Sequence, residues 1–138
     1  NGYVPTDGAL PTVVPARLLD TRVGPQNLTI DHRFEGDGQL AADGVIELAV
    51  VGRGGVPADA EAVMLNVTAV TPDAPGHLTI YPCGVTRPLA SNLNYSTGDV
   101  VPNAVLAKIG DNGQVCIYTH ATTDLLVDVN GYVPTDGP

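Results

Sequence analysis

Tryptophan is missing from these 138 residues, and phenylalanine, methionine and lysine occur once each, as Phe34, Met64 and Lys108. Five tyrosines complete the aromatic set, which is thin for a sugar-stacking platform. Positive charge is scarce too: six Lys and Arg face fifteen Asp and Glu, for a net charge of −9. Such a surface repels phosphate backbones, and no basic patch relieves it, so no nucleic acid partner is expected. No apolar run approaches the ~18 residues of a membrane helix, so no membrane insertion is expected.

Reactive groups are equally sparse. The serines are Ser91 and Ser96, and neither sits in a Gly-x-Ser-x-Gly elbow. His32, His77 and His120 are scattered without metal-ligand spacing. Glu35, Glu47 and Glu61 stand in ordinary loop or surface contexts rather than as a glycosidase pair. No catalytic residue, no metal and no cofactor is therefore expected, and the chain does not read as an enzyme.

Helical periodicity is absent from every window of ten or more residues. Sixteen Gly and twelve Pro instead cut the chain into short alternating or apolar runs. These are 17–21, 45–51, 62–70, 77–81, 90–95, 103–109, 114–119 and 124–132. In 62–70, Val63, Leu65, Val67 and Ala69 share one face, while Met64, Asn66 and Thr68 share the other. About eight short strands between Gly/Pro turns predict an all-β chain with one β-sandwich, Greek-key or jelly-roll-like, and no substantial helix. Asp111-Asn112-Gly113 reads as a tight hairpin turn, because Asn and Gly tolerate positive φ. The polar, Gly-rich segment 23–44 reads as a long loop with an edge strand around 28–30.

Two cysteines, Cys83 and Cys116, both fall at strand or strand-end positions. A bridge between neighbouring strands is geometrically easy there, and the other reading is two buried thiols. A bridge carries with it an oxidising, extracellular setting. Several polar residues lie where strands should be apolar, among them Asp20, Arg22, Asn66, Asn92, Asn94 and Asp128. Asp20 and Asp128 with Arg22 suggest a partly buried ion-pair network, and the amides suggest partners for interior backbone groups. A calcium site is the alternative, but the Asp-x-Asp-x-Asp-Gly loop it needs is missing.

The octapeptide Asn-Gly-Tyr-Val-Pro-Thr-Asp-Gly begins at Asn1 and again at Asn130, a period of 129 residues. This reads as one unit of a tandem array. Residues 1–13 are then a linker carrying the end of a preceding repeat, 14–133 the module, and 134–138 the linker onward. Tyr3, Pro5, Tyr132 and Pro134 are the expected join: proline favours an extended path, and tyrosine can clamp the linker where it leaves.

The succession Pro15-Ala16-Arg17-Leu18-Leu19-Asp20-Thr21-Arg22, Leu65-Asn66-Val67-Thr68-Ala69, Ala90-Ser91-Asn92-Leu93-Asn94-Tyr95 and Val127-Asp128-Val129-Asn130-Gly131-Tyr132 resembles a β-rich module of secreted actinobacterial proteins. That module is often found in tandem or appended to cell-wall hydrolases and peptidases. The likeness spans roughly 14–133 and implies an exported, surface-associated protein without implying an activity. The leading expectation is a structural spacer in a surface fibre, stalk or filament, whose partners are neighbouring copies of itself. A module binding cell-wall glycan is the rival. A third reading is a filament subunit that donates Gly2-Tyr3-Val4 as a strand to its neighbour.

Overall fold

The alternation in 62–70 becomes a strand with one dry face: Val63, Leu65, Val67 and Ala69 are buried, and Met64 and Asn66 point outward. The computed structural model describes residues 11–135. Among them are eight strands: β1 (Thr12–Asp20), β2 (Val45–Ala49), β3 (Ala62–Val70), β4 (Gly76–Pro82), β5 (Leu93–Tyr95), β6 (Val100–Lys108), β7 (Gln114–Thr119) and β8 (Asp124–Val133). One three-residue 3-10 turn, Asp111–Gly113, is the sole helical element there.

Two antiparallel four-stranded sheets form, ordered β1-β8-β3-β6 and β2-β7-β4-β5. The ladders β1·β8, β2·β7, β3·β6 and β4·β5 are those of one long hairpin bent over itself. Rolling that hairpin up adds β3·β8 and β4·β7. This is the jelly-roll arrangement of the β-sandwich. Between the sheets Leu18, Leu65, Val67, Val127 and Val129 meet Leu48, Leu78, Val115 and Ile117, all essentially inaccessible. Each such side chain stabilises the fold by about 1.5–3 kcal/mol relative to exposure.

β1 starts at Thr12, two residues inside the segment expected to be linker, and Pro11 O accepts a hydrogen bond from Tyr132 N–H (3.1 Å). The ladder with β8 extends it there, since Thr12 pairs with Gly131. The edge strand expected at 28–30 does not form. Ile30 N–H donates to Arg17 O, Gly36 N–H to Asp20 O, and Asp20 N–H to Phe34 O. The loop thus satisfies the free edge of β1 piecemeal, which closes that edge to other strands. On the opposite edge, β6 carries Pro102 and Lys108, residues that blunt strand pairing.

The Asp111-Asn112-Gly113 turn has the positive φ values expected, 60° at Asn112 and 69° at Gly113. It does not make a hairpin, because β6 and β7 belong to different sheets. The local reversal follows from the residue types. The pairing follows from which apolar faces meet.

Candidate functional site

Asp20 closes β1 with its side chain fully buried and charged. Arg22 holds it with two guanidinium hydrogen bonds (3.0 and 2.9 Å) and its backbone N–H (3.1 Å), and Arg17 adds a third guanidinium contact at 3.2 Å. Burial disfavours the charge, but these hydrogen bonds and the arginine charges outweigh it, so the carboxyl lies below its ordinary range. The same contact raises Arg22 above its usual value.

Arg17, not Arg22, joins Asp20 to Asp128, by donating from Nε to Asp128 Oδ1 as well. Nothing in the local sequence marks Arg17 as the bridge. The register explains its role: Arg17 pairs with Asp128 across β1·β8, so the two share the outer face about 5 Å apart. Asn66 stands opposite Asp128 on β3 without a side-chain bond to it among the described residues. Asn94 lies in β5 of the other sheet and Asn92 just before it, and both stay outside the network. Among the described residues no buried side-chain nitrogen or oxygen lacks a hydrogen bond. The capacity of the Asp20 network is taken up internally, so its work is structural.

Arg53 is a second anchor that no sequence motif marks. Its buried guanidinium donates to Asp31 twice (2.7 and 2.8 Å) and to the carbonyls of Ala49 (2.8 Å), Leu18 (2.9 Å) and Arg33 (3.2 Å). Phe34 lies beneath it, with 5.0 Å from the guanidinium to the ring centroid. The hydrogen bond from Arg53 holds Asp31 far below the usual carboxylate range. Thr29, Glu35 and His32 form a smaller cluster in the same loop, in which the Thr29 backbone N–H lowers Glu35. A cleft of about 480 Å³ lies between this loop and β2, with Leu19, Phe34, Leu40 and Ile46 as its floor and Asp37 and Glu47 at its rim.

On the outer face of the second sheet, Cys83 and Cys116 are bonded, with their Cα atoms 5.0 Å apart. The bond fastens the start of the 83–92 connection to β7. Arg87 from that connection lies 3.6 Å over the Tyr118 ring, and Tyr118 donates to Asp43 (2.7 Å), a bond that raises its hydroxyl above the ordinary value. His77 and His120 stack nearby at 5.5 Å, while His32 lies in the first loop against Glu35.

The seam between β5 and β6 differs from all of these. There Asn92, Asn94 and Asn103 line an open cleft of about 370 Å³ with Ser91, Leu93, Val101 and Pro102. Each amide is clamped at one end. Asn92 Oδ1 accepts from Ile80 N–H (2.8 Å), Asn94 Oδ1 from the Ser91 hydroxyl (2.7 Å), and Asn103 Nδ2 donates to Asn92 O (2.6 Å). Asn103 was missed in the sequence, though a signal exists: it interrupts Val101, Val105 and Ala107 on the inward face of β6.

Of the expected join, Tyr3 and Pro5 lie outside the described residues. Tyr132 packs half-buried against the core, and Pro134 follows β8 directly. Among the described residues no helix is long and apolar enough to cross a membrane. No family model matches the chain, and comparison with curated proteins and with solved structures finds no match. The resemblance therefore rests on its four motifs, which fall at the end of β1, in β3, at the approach to β5 and in β8.

Proposed function

We propose that the chain is a non-catalytic structural repeat of an extracellular surface fibre, setting a spacing between its neighbours in a tandem array. The observation that carries this is the octapeptide repeated with a period of 129 residues. In the second copy its first four residues end β8, with Tyr132 against the core. A motif placed like this shapes a strand end. The Cys83–Cys116 bond is compatible with an oxidising exterior, and the resemblance to secreted modules points the same way.

The strand ends also suggest how copies join. Because Thr12 pairs with Gly131, the chain comes in and leaves on adjacent antiparallel strands, about 5 Å apart at one end of the sandwich. At the 129-residue period, positions 134–140 separate Val133 from the next Thr12, a reach of about 25 Å when extended. More than two copies then cannot lie in line along the strand direction. A longer array runs side by side, with its strands across the fibre.

Small-angle scattering on proteins of one, two and three units tests this. Each added unit should lengthen the particle by about 25 Å, the width of a four-stranded sheet with its side chains. Steps near 40 Å, the strand length plus end loops, would overturn the side-by-side arrangement. A parent gene holding a single copy would overturn the tandem reading itself.

A further inference from the structure

The cleft at the β5/β6 seam is lined by uncharged residues and gathers three carboxamides, in a chain of net charge −9. Its three carboxamides are each fixed at one end by the hydrogen bonds already given. Among the described residues the other ends have no partner: the amide groups of Asn92 and Asn94 are donors, and Oδ1 of Asn103 is an acceptor. Clamping one end of a carboxamide sets the direction of the other. Two amide donors and a carbonyl acceptor thus face the cleft, and the part-buried bond from Ile80 N–H fixes the Asn92 amide most firmly. Leu93, Val101 and Pro102 supply apolar surface between them.

We infer that this seam binds a neutral, hydroxyl-rich ligand, a pyranose unit of a glycan. A pyranose presents hydroxyls that both donate and accept around its rim and C–H groups on its faces. That matches mixed amide donors and acceptors beside a small apolar patch from Val101 and Pro102. A charged ligand finds no counter-ion among the residues lining the cleft. The site also has room to continue. His77 stands opposite Asn94 in the β4·β5 ladder, and its ring stacks on His120. A second sugar leaving the cleft over β4 would meet those imidazole faces. This inference does not depend on the tandem-spacer reading, since a single unit contains the whole site.

The test is a nitrogen–proton correlation NMR titration of one unit with two probes, the β-1,4-linked tetramers of glucose and of N-acetylglucosamine, each to about 10 mM. The expected result is saturable shifts in the side-chain amides of Asn92, Asn94 and Asn103 and in the backbone of 93–95 and 101–103, with at least one probe. Asn94→Ala should weaken that binding at least tenfold and leave the melting temperature unchanged, because Asn94 is exposed and its one side-chain bond is to exposed Ser91. Asn92 is a poorer choice for substitution, since it caps the Ile80 N–H. The inference is overturned if neither tetramer shifts these resonances, if shifts map elsewhere, or if Asn94→Ala binds as the parent does. A seam that responds only to an added extended peptide is a strand-addition site, and the glycan inference fails.

Discussion

Arg53 and Asp31, twenty-two residues apart, form a two-point ion pair in which the arginine side chain is 1% exposed and the aspartate 32%. Through it the 21–44 loop is tied to the turn after β2. Removing Asp31 leaves a guanidinium charge in the interior, so Asp31→Ala should destabilise the protein by about 3 kcal/mol. Arg53→Met should cost at least as much, because the carbonyls of Leu18, Ala49 and Arg33 lose a donor. Urea denaturation midpoints measure both. A loss under about 1 kcal/mol for Asp31→Ala would show that other contacts hold the loop.

Acid should unfold the protein through the same carboxylates. Asp20 and Asp31 have folded-state values below their unfolded ones. Their stabilisation is complete above the unfolded value, about 3.9, and is lost as pH falls from there toward the folded values. The melting temperature should therefore hold between about pH 5 and 7 and drop below about pH 4. Asp20→Asn should lower it at neutral pH and flatten the acid limb, which thermal melts by circular dichroism would record.

The disulfide closes a loop of 33 residues. In the chain-entropy account, replacing both cysteines by serine should cost about 3.7 kcal/mol. At this chain length that is a fall of roughly 10 °C in melting temperature. Calorimetry of the double variant beside the parent checks it, and a fall of only a degree or two would contradict it.

Tyr95 holds a buried polar knot. Its hydroxyl meets Thr119 Oγ1 (2.8 Å), accepts from Ala121 N–H (2.9 Å) and donates to Ala121 O (3.2 Å). Tyr95→Phe keeps the ring and strands the Ala121 N–H, for a loss of about 1–2 kcal/mol. A double-mutant cycle with Thr119→Val should give a coupling of about 1 kcal/mol, and additive effects would dissolve the knot.

Local features of this protein are present in its sequence because their causes are local. The two-residue alternation of Val63, Leu65, Val67 and Ala69 has no other comfortable home than a half-buried strand. Gly and Pro end the runs, Asn112 and Gly113 take up positive φ, and the octapeptide declares a period without any structure at all. Cys83 and Cys116 were recognisable as a pair because strand ends bring few alternatives. Non-local features are another matter. Which strand lies beside which depends on the apolar faces of segments far apart in sequence, as for Arg17 and Asp128, 111 residues apart. That is why Arg22 looked like the bridge when Arg17 is, and why a turn typical of hairpins joins two different sheets. Arg53 and Asn103 carry no motif. Their meaning comes from tertiary placement, Arg53 enclosed beneath a loop whose carbonyls need donors and Asn103 exposed at a seam where two sheet edges part. The sequence alone determined the strand class and carries the octapeptide twice, the first through alternation and turn chemistry. The tertiary structure alone decided the jelly-roll pairing and the amide seam, because burial and register exist only once distant strands have met.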